Sequence, residues 1–239
     1  MKIGIKFFPD NAGRLKELSK HIDFAEVMAI EGADFAPFQE TGLPVTLHCE
    51  HSRFGVNPAS IEKRDKTVSA VNFALELADR FSSRFVVVHP GVLEDNKCSL
   101  ENTTDLLKQF RDKRIVVENL PLWFGPEKAH KCVAPTPEEM EIILSATGNR
   151  VCLDFGHAAV TAHEIGEEHV GFVKRFMELK PSYFHISDND GTADLHMSLG
   201  EGKLDIKAFK GMVGEGYVAL ETDIITEKQI NDIRLLKGL

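Results

Sequence analysis

The stretch RFVVVHP, residues 84–90, places three consecutive valines before a histidine and a proline. A strand that is apolar on both sides is covered on both faces, which is typical of parallel sheets in α/β proteins. Seven further runs of the chain are short and rich in apolar residues, and each predicts a strand. The eight predicted strands are KIGIKFF (2–8), FAEVMAI (24–30), PVTLHCE (44–50), RFVVVHP (84–90), RIVVENL (114–120), RVCLDFGH (150–157), SYFHISD (182–188) and YVALETD (217–223).

Most of these runs precede a longer segment whose apolar residues have helical spacing. TPEEMEIILSATG is the clearest, with Thr136 as N-cap, Pro137 in the first turn, Glu139 to complete a capping box and Gly148 as the C-terminal stop. Strands that alternate with helices predict a parallel sheet, and 239 residues suit its closure into a barrel. We therefore expect an α/β fold, a single (β/α)8 TIM barrel over residues 1–239.

Composition excludes several classes of protein. The chain has no apolar run of the roughly 18 to 20 residues that a membrane span requires, and MKIGIKFFPD lacks the features of a secretory signal, so we expect a cytoplasmic protein. The four cysteines form no C-x-x-C pair, which argues against both a disulfide framework and a thiolate zinc cluster. A formal net charge of −9 argues against a broadly basic nucleic-acid surface, although not against a local positive site.

Polar side chains stand where six consecutive predicted strands end. In a TIM barrel the carboxyl ends of the strands and the loops after them carry the functional residues. Any one of these groups alone is as well explained by a structural hydrogen bond, but six that converge indicate a shared site. The residues are His48, His89, Glu118, Asp154 with His157 just beyond it, His185 and Glu221.

The stretch DLHMSLGEGKLD, residues 194–205, adds Asp194 and His196. In an extended loop these two side chains project to one side, and the glycines let the backbone approach the same site. Together with Glu118, Asp154 and Glu221, Asp194 makes four carboxylates, which repel one another in a dry pocket unless cations neutralise them. Imidazoles and carboxylates without thiolates favour zinc, with manganese, iron or cobalt as alternatives.

The chain resembles the endonuclease IV (AP endonuclease family 2) branch of the xylose isomerase-like TIM barrels. The resemblance extends from about residue 44 to 222 through HPG (89–91), EN (118–119), CLDFGHA (152–158), HISD (185–188) and DLHMSLGEGK (194–203). It implies three zinc ions, with Glu118 bridging the first and the second. The implied ligand sets are His48, His89 and Glu118; then Glu118, Asp154, His185 and Glu221; and finally His157, Asp194 and His196.

Such a cluster predicts a metal-dependent phosphoester hydrolase, with DNA containing abasic sites as the implied substrate. Three divalent ions against four carboxylates leave about two positive charges, which attract phosphate. The ions activate water for attack on phosphorus and stabilise the developing charge. We expect Glu118 to bridge two ions and to orient the attacking water, and Glu221 to serve beside it as the second catalytic carboxylate.

Three features depart from the endonuclease IV pattern. The first strand reads GIKFFPD where that branch has a Gly-x-His-x-Ser opening, the segment that enters DNA is missing, and LPLWFGPEKAH replaces small polar residues after Glu118. Trp123 and Phe124 in this loop are candidates to stack on a base or sugar, or else to cover the mouth of the barrel. His51, three residues after His48, is a candidate substrate contact.

Two other functions remain open. Metal-dependent sugar or sugar-phosphate isomerases and epimerases of the same superfamily resemble the chain at Glu118, Asp154, His185 and Glu221, with a small sugar as substrate. There, Glu118 and Glu221 would exchange protons at carbons beside a carbonyl. That interpretation leaves unexplained four residues with ligand chemistry, namely His48, His89, Asp194 and His196. A noncatalytic metal-binding barrel is the third possibility.

Overall fold

A computed structural model of the chain describes residues 1–238. Eight of its strands are parallel and close into a barrel, and three short ones form a separate sheet. In chain order the strands are β1 (Lys2–Phe7), β2 (Phe24–Ala29), β3 (Val45–Cys49), β4 (Val86–Val88), β5 (Val92–Leu93), β6 (Ile115–Glu118), β7 (Trp123–Phe124), β8 (His130–Cys132), β9 (Arg150–Asp154), β10 (Tyr183–Ile186) and β11 (Tyr217–Leu220).

Helices surround the barrel on the outside. They are α1 (Leu15–Leu18), α2 (Ala36–Glu40), α3 (Arg64–Phe81), α4 (Leu100–Leu107), α5 (Pro137–Thr147), α6 (Phe155–Ile165), α7 (His169–Met177), α8 (Ile206–Val213) and α9 (Thr226–Gly238). Short segments of 3-10 helix lie at Pro9–Arg14, Ser52–Phe54 and Pro126–Lys128. None of the helices formed by residues 1–238 combines the length and the apolar composition needed to cross a lipid bilayer.

The barrel closes because β1 pairs with β2 on one side and with β11 on the other, in parallel register throughout. The valines of RFVVVHP show why its strand is apolar on both sides. Val86 and Val88 belong to the large core between barrel and helices, whereas Val87 belongs to a smaller cluster with Phe24 and Tyr183 inside the barrel. The predicted (β/α)8 fold is confirmed.

The structure differs locally from the sequence predictions. The run predicted as a strand over 150–157 ends at Asp154, where α6 begins, because the Asp154 side chain caps the helix by accepting a hydrogen bond from the backbone N–H of His157. In α5, Thr136 and Gly148 cap the two ends as predicted. However, the carboxylate of Glu139 accepts its hydrogen bond from the backbone of Ala134, so no reciprocal bond to Thr136 is seen within residues 1–238.

The antiparallel sheet β5–β8–β7 was not predicted, since its strands are two or three residues long. It is built from the segment after β4 and the long segment after β6, so it lies at the carboxyl end of the barrel. Val92 and Cys132 of this sheet are buried with Leu120 in a small apolar cluster, and the half-buried Phe124 packs against it. This cluster forms one wall of the site described next.

Candidate metal centre

Each of the eight barrel strands supplies a polar side chain to this cluster, seven of them at or near the carboxyl end of the strand and one, Glu26, from within β2. The residues are Lys6, Glu26, His48, His89, Glu118, Asp154, His185 and Glu221. Sequence analysis predicted the last six and missed the first two. Lys6 Nζ lies 2.9 Å from Glu221 Oε1, and Glu26 Oε2 accepts a hydrogen bond of 2.8 Å from His185 Nε2. The sequence held a signal for Glu26, because it is the only charged residue in the otherwise apolar run FAEVMAI; the structure buries it fully.

Glu118 is the centre of the cluster. Its Oε2 lies 3.0 Å from His89 Nε2 and 3.3 Å from His48 Nε2, and its Oε1 lies 3.3 Å from Nδ1 of both His157 and His185. Burial works against ionisation, but the imidazoles of His185 and His89 hold the pKa of Glu118 well below its usual range. Glu118 is therefore a buried carboxylate whose two oxygens face different sets of histidines, as a bridging ligand requires.

Four histidines are oriented by a hydrogen bond from one ring nitrogen, which leaves the other directed at the carboxylates. In three of them, Nδ1 of His48 donates to the carbonyl of Cys49, Nδ1 of His157 to that of Asn119, and Nδ1 of His196 to that of Glu221. A carbonyl can only accept, so Nδ1 carries a proton and Nε2 is the nitrogen that each ring in its neutral form would offer to a metal. In metal proteins this second hydrogen bond sets the tautomer and the orientation of the ring.

His185, the fourth, is arranged the opposite way. Its Nε2 donates to Glu26, and its Nδ1 faces Glu118, Asp154 and Glu221 at distances of 3.3, 4.0 and 2.7 Å. Glu26, His185 and the carboxylate cluster thus form the carboxylate–histidine arrangement that supports metal ligands. Glu26 is the residue of this arrangement that sequence analysis did not identify.

Asp194 and His196 reach the cluster from the loop between β10 and α8. Asp194 Oδ2 lies 3.4 Å from His157 Nε2 and 3.1 Å from His196 Nε2. The backbone of His196 has a φ of 49°, so the expectation of an extended loop is wrong at this residue. Asp194 and His196 lie side by side with a left-handed backbone at His196, and not through the alternation of side chains along an extended strand.

The glycines of DLHMSLGEGKLD serve a different purpose from the one expected. They approach Asp188, whose carboxylate accepts hydrogen bonds of 2.8 to 3.1 Å from the backbone N–H groups of Asn189, Gly200, Gly202 and Leu204. A Cβ atom on Gly202 would lie 2.3 Å from Asp188 Oδ1, so only glycine fits there. Asp188 therefore fixes both ends of the loop that carries Asp194 and His196.

The nine predicted ligands fall into groups that match the three implied sets. Within each group the ligand atoms lie within 4.8 Å of one another; the groups are His48, His89 and Glu118; Glu118, Asp154, His185 and Glu221; and His157, Asp194 and His196. A further group contains Glu26, His48 and Glu221. Another contains Cys152, but burial raises the pKa of the Cys152 thiol to about 12, which keeps this sulfur protonated.

Unpaired buried atoms in the same cluster fit a bound cation. Within residues 1–238, the buried atoms that form no hydrogen bond include Glu118 Oε1, Asp154 Oδ2, His185 Nδ1 and Asp194 Oδ1. An unsatisfied buried oxygen or nitrogen is costly unless something else neutralises it. Each of the three ligand groups contains at least one such atom, so the residues suit up to three divalent ions.

A sequence profile described as xylose isomerase-like TIM barrel (AP_endonuc_2) matches residues 36–237. The chain belongs to this family. Among curated proteins, the uncharacterized protein MJ1614 of Methanocaldococcus jannaschii is 26% identical over 216 residues, which cover 82% of this chain and 76% of that protein.

Solved structures of other proteins have the same fold. A D-tagatose 3-epimerase-like protein superposes with a TM-score of 0.78 at 21% identity, over 100% of this chain and 96% of the other. Endonuclease IV from Thermus thermophilus superposes with a TM-score of 0.73 at 21% identity, over 100% and 98%. The proteins that share this fold thus include an endonuclease and an epimerase-like protein, and these likenesses establish the fold of this chain and not its substrate.

A pocket of about 300 Å³ opens over the candidate metal centre. Its polar side holds Lys6, His51 and His196 beside the ligand cluster, and its apolar side includes Leu120 and Phe124. The ring of His51 is buried and stacks on that of His89 with centroids 4.7 Å apart. Of the three candidate substrate contacts, His51 and Phe124 line the pocket. Trp123 is 37% exposed and is not one of the described residues that line it.

Zinc binding is expected to release protons. In the metal-free site burial disfavours a charged imidazole, but the hydrogen bond and charge of Asp194 raise the pKa of His196 to about 9, and carboxylates raise the pKa values of His157 and His185 well above the usual range. An imidazole binds a metal only in its neutral form, so zinc affinity should rise as the pH passes through the pKa of His196 at about 9. Calorimetric zinc titrations in buffers of different ionisation enthalpy should show more proton release at pH 7 than at pH 9.5; equal release would contradict the assignment.

Replacing Glu26 by Gln should weaken zinc binding by about 10- to 100-fold, since the supporting carboxylate of His185 loses its charge. Competition with a fluorescent zinc chelator measures this change. Glu141→Gln, an exposed position on α5, is the matched control and should bind zinc like the original protein. Unchanged affinity in Glu26→Gln would mean that His185 does not act as a ligand through Nδ1.

Proposed function

We propose that this protein is a divalent-metal-dependent phosphoester hydrolase that uses up to three ions, with zinc the best match to its ligands. The observation that supports the proposal is the presence of three ligand groups in one pocket, two of which share Glu118. An epimerase-type site needs only the group with Glu118, Asp154, His185 and Glu221. An epimerase would not explain why the same pocket also contains the groups with His89 and with His196.

Each residue has a defined part in this proposal. Bound divalent ions would supply Lewis acidity and neutralise charge on a phosphoryl group. The chain itself holds Glu118 between the imidazoles, so that its two oxygens stay ionised and fixed in place. Glu221 is fixed by Lys6 on one side and by His185 on the other. Preorganised charges of this kind stabilise a transition state at little reorganisation cost.

The pocket favours a compact phosphoester group. A volume of about 300 Å³ is at the small end of ligand sites and admits one sugar phosphate, but not a DNA duplex. DNA would have to present a single nucleotide turned out of the helix, and an abasic residue is the smallest such group. Abasic DNA is thus one candidate substrate, and a free sugar phosphate or nucleotide is another.

A sugar epimerase is the second candidate, and one observation favours it. The four-residue group of Glu118, Asp154, His185 and Glu221 is complete by itself, with two glutamates that could serve a ketose as acid and base. The apolar wall with Leu120 and Phe124 would then pack against the carbon face of the sugar.

Metal analysis combined with two assays tests the proposal. The protein is purified without added metal, its ions per chain are counted by mass spectrometry, and it is then assayed on phosphoesters (an oligonucleotide with one abasic site and small phosphomonoesters) and on ketoses. About three ions with phosphoester cleavage supports the hydrolase. One ion with ketose epimerisation supports the second candidate, and bound metal with neither activity contradicts both.

A further inference from the structure

Lys6 is a largely buried cation inside the candidate metal centre. It lies near the end of β1, its side chain is 11% exposed, and its Nζ is 2.9 Å from Glu221 Oε1. In the parallel register of β1 and β2 it stands beside Glu26. An ammonium group with this little solvent requires nearby negative charge, which Glu221 and Glu26 supply.

The contact with Glu221 does not use all of the hydrogen-bonding capacity of Lys6. An ammonium group has three N–H donors, and within residues 1–238 the hydrogen bond to Glu221 is the one that the geometry supports. Lys6 also lines the pocket, together with His89, His157 and His196. A lysine that served only to neutralise Glu221 would have no need to reach the pocket surface.

We propose that Lys6 binds a nonbridging oxygen of the phosphoryl group in the pocket, while it keeps its hydrogen bond to Glu221. This inference rests on the proposed function and names the anionic oxygen that the chain itself would contact. A lysine ammonium is a compact charge with several donor directions, so it can serve a carboxylate and a phosphate oxygen together. Glu221 and Glu26 lie on the two sides of β1. Their negative charges together hold the Lys6 ammonium group at the inner wall of the pocket.

Binding of inorganic phosphate to the zinc-loaded protein tests the inference without turnover. Isothermal calorimetry should show that Lys6→Met weakens phosphate binding by about 10- to 100-fold, as the loss of a charged hydrogen bond does. Zinc per chain should be unchanged, and Lys6→Arg should recover part of the affinity. Lys207→Met, an exposed position on α8, is the matched control and should bind phosphate normally.

Two outcomes would overturn the inference. Unchanged phosphate affinity in Lys6→Met would show that Lys6 does not contact the anion. Loss of zinc together with phosphate would show that Lys6 acts only by positioning Glu221 as a ligand. If the original protein binds phosphate through Lys6 but cleaves no phosphoester, the proposed function fails and the anion contact stands, so the two failures are distinguishable.

Discussion

Replacing Glu118 by Gln should lower phosphoester turnover by about a thousand-fold or more and leave the barrel folded. Glu118 contacts His48, His89, His157 and His185, and a neutral amide would turn an N–H group toward at least one of them. It would also remove the negative charge that the groups of His89 and of His185 share. Preorganised charge of this kind is often the largest single contribution to catalysis.

Three measurements on Glu118→Gln separate its roles. Steady-state kinetics reports turnover, mass spectrometry reports ions per chain, and circular dichroism with thermal melting reports the fold. Glu141→Gln carries the same chemical change at an exposed position and should match the original protein in all three. Full activity of the Glu118 variant would refute its bridging role, whereas loss of activity through unfolding would leave the melting curve visibly altered.

The barrel was predictable because its strands carry their own signature. Buried parallel strands must be apolar on both sides, as RFVVVHP is, and the structure places Val87 inside the barrel and Val86 and Val88 outside it. The sheet β5–β8–β7 has no such signature. Its strands are too short to show a period, and only the tertiary contact between the segments after β4 and β6 reveals them.

The site was predictable where a side chain that can bind a metal stands directly after an apolar run, at the end of a predicted strand. Lys6 and Glu26 were missed because each lies inside a predicted strand, where the run was judged by its apolar majority. Their inward direction follows from the two-residue period once the neighbouring strand is known. Asp188 was missed for another reason. Its partners are backbone N–H groups of a glycine-rich loop, and a sequence does not display hydrogen bonds to the backbone.

Replacing Asp188 by Ala should destabilise the protein by about 3 kcal/mol and remove one metal ion per chain. The change leaves four loop N–H groups without their acceptor, among them those of Gly200, Gly202 and Leu204. A hydrogen bond to a charged group contributes more to the free energy of unfolding than a hydrogen bond between neutral groups. The loss of stability is therefore large for a single substitution. The loop supplies Asp194 and His196, so the third ligand group should be lost with it.

Chemical denaturation and metal analysis check this expectation together. Asp188→Asn retains one acceptor oxygen and should fall between Asp188→Ala and the original protein in both stability and metal content. Asp105→Ala, an exposed position on α4, is the control and should change neither. If Asp188→Ala retained all of its zinc, the loop would be held by its backbone pairing between Asp188 and Met197 alone, and the carboxylate would not be what positions the third group.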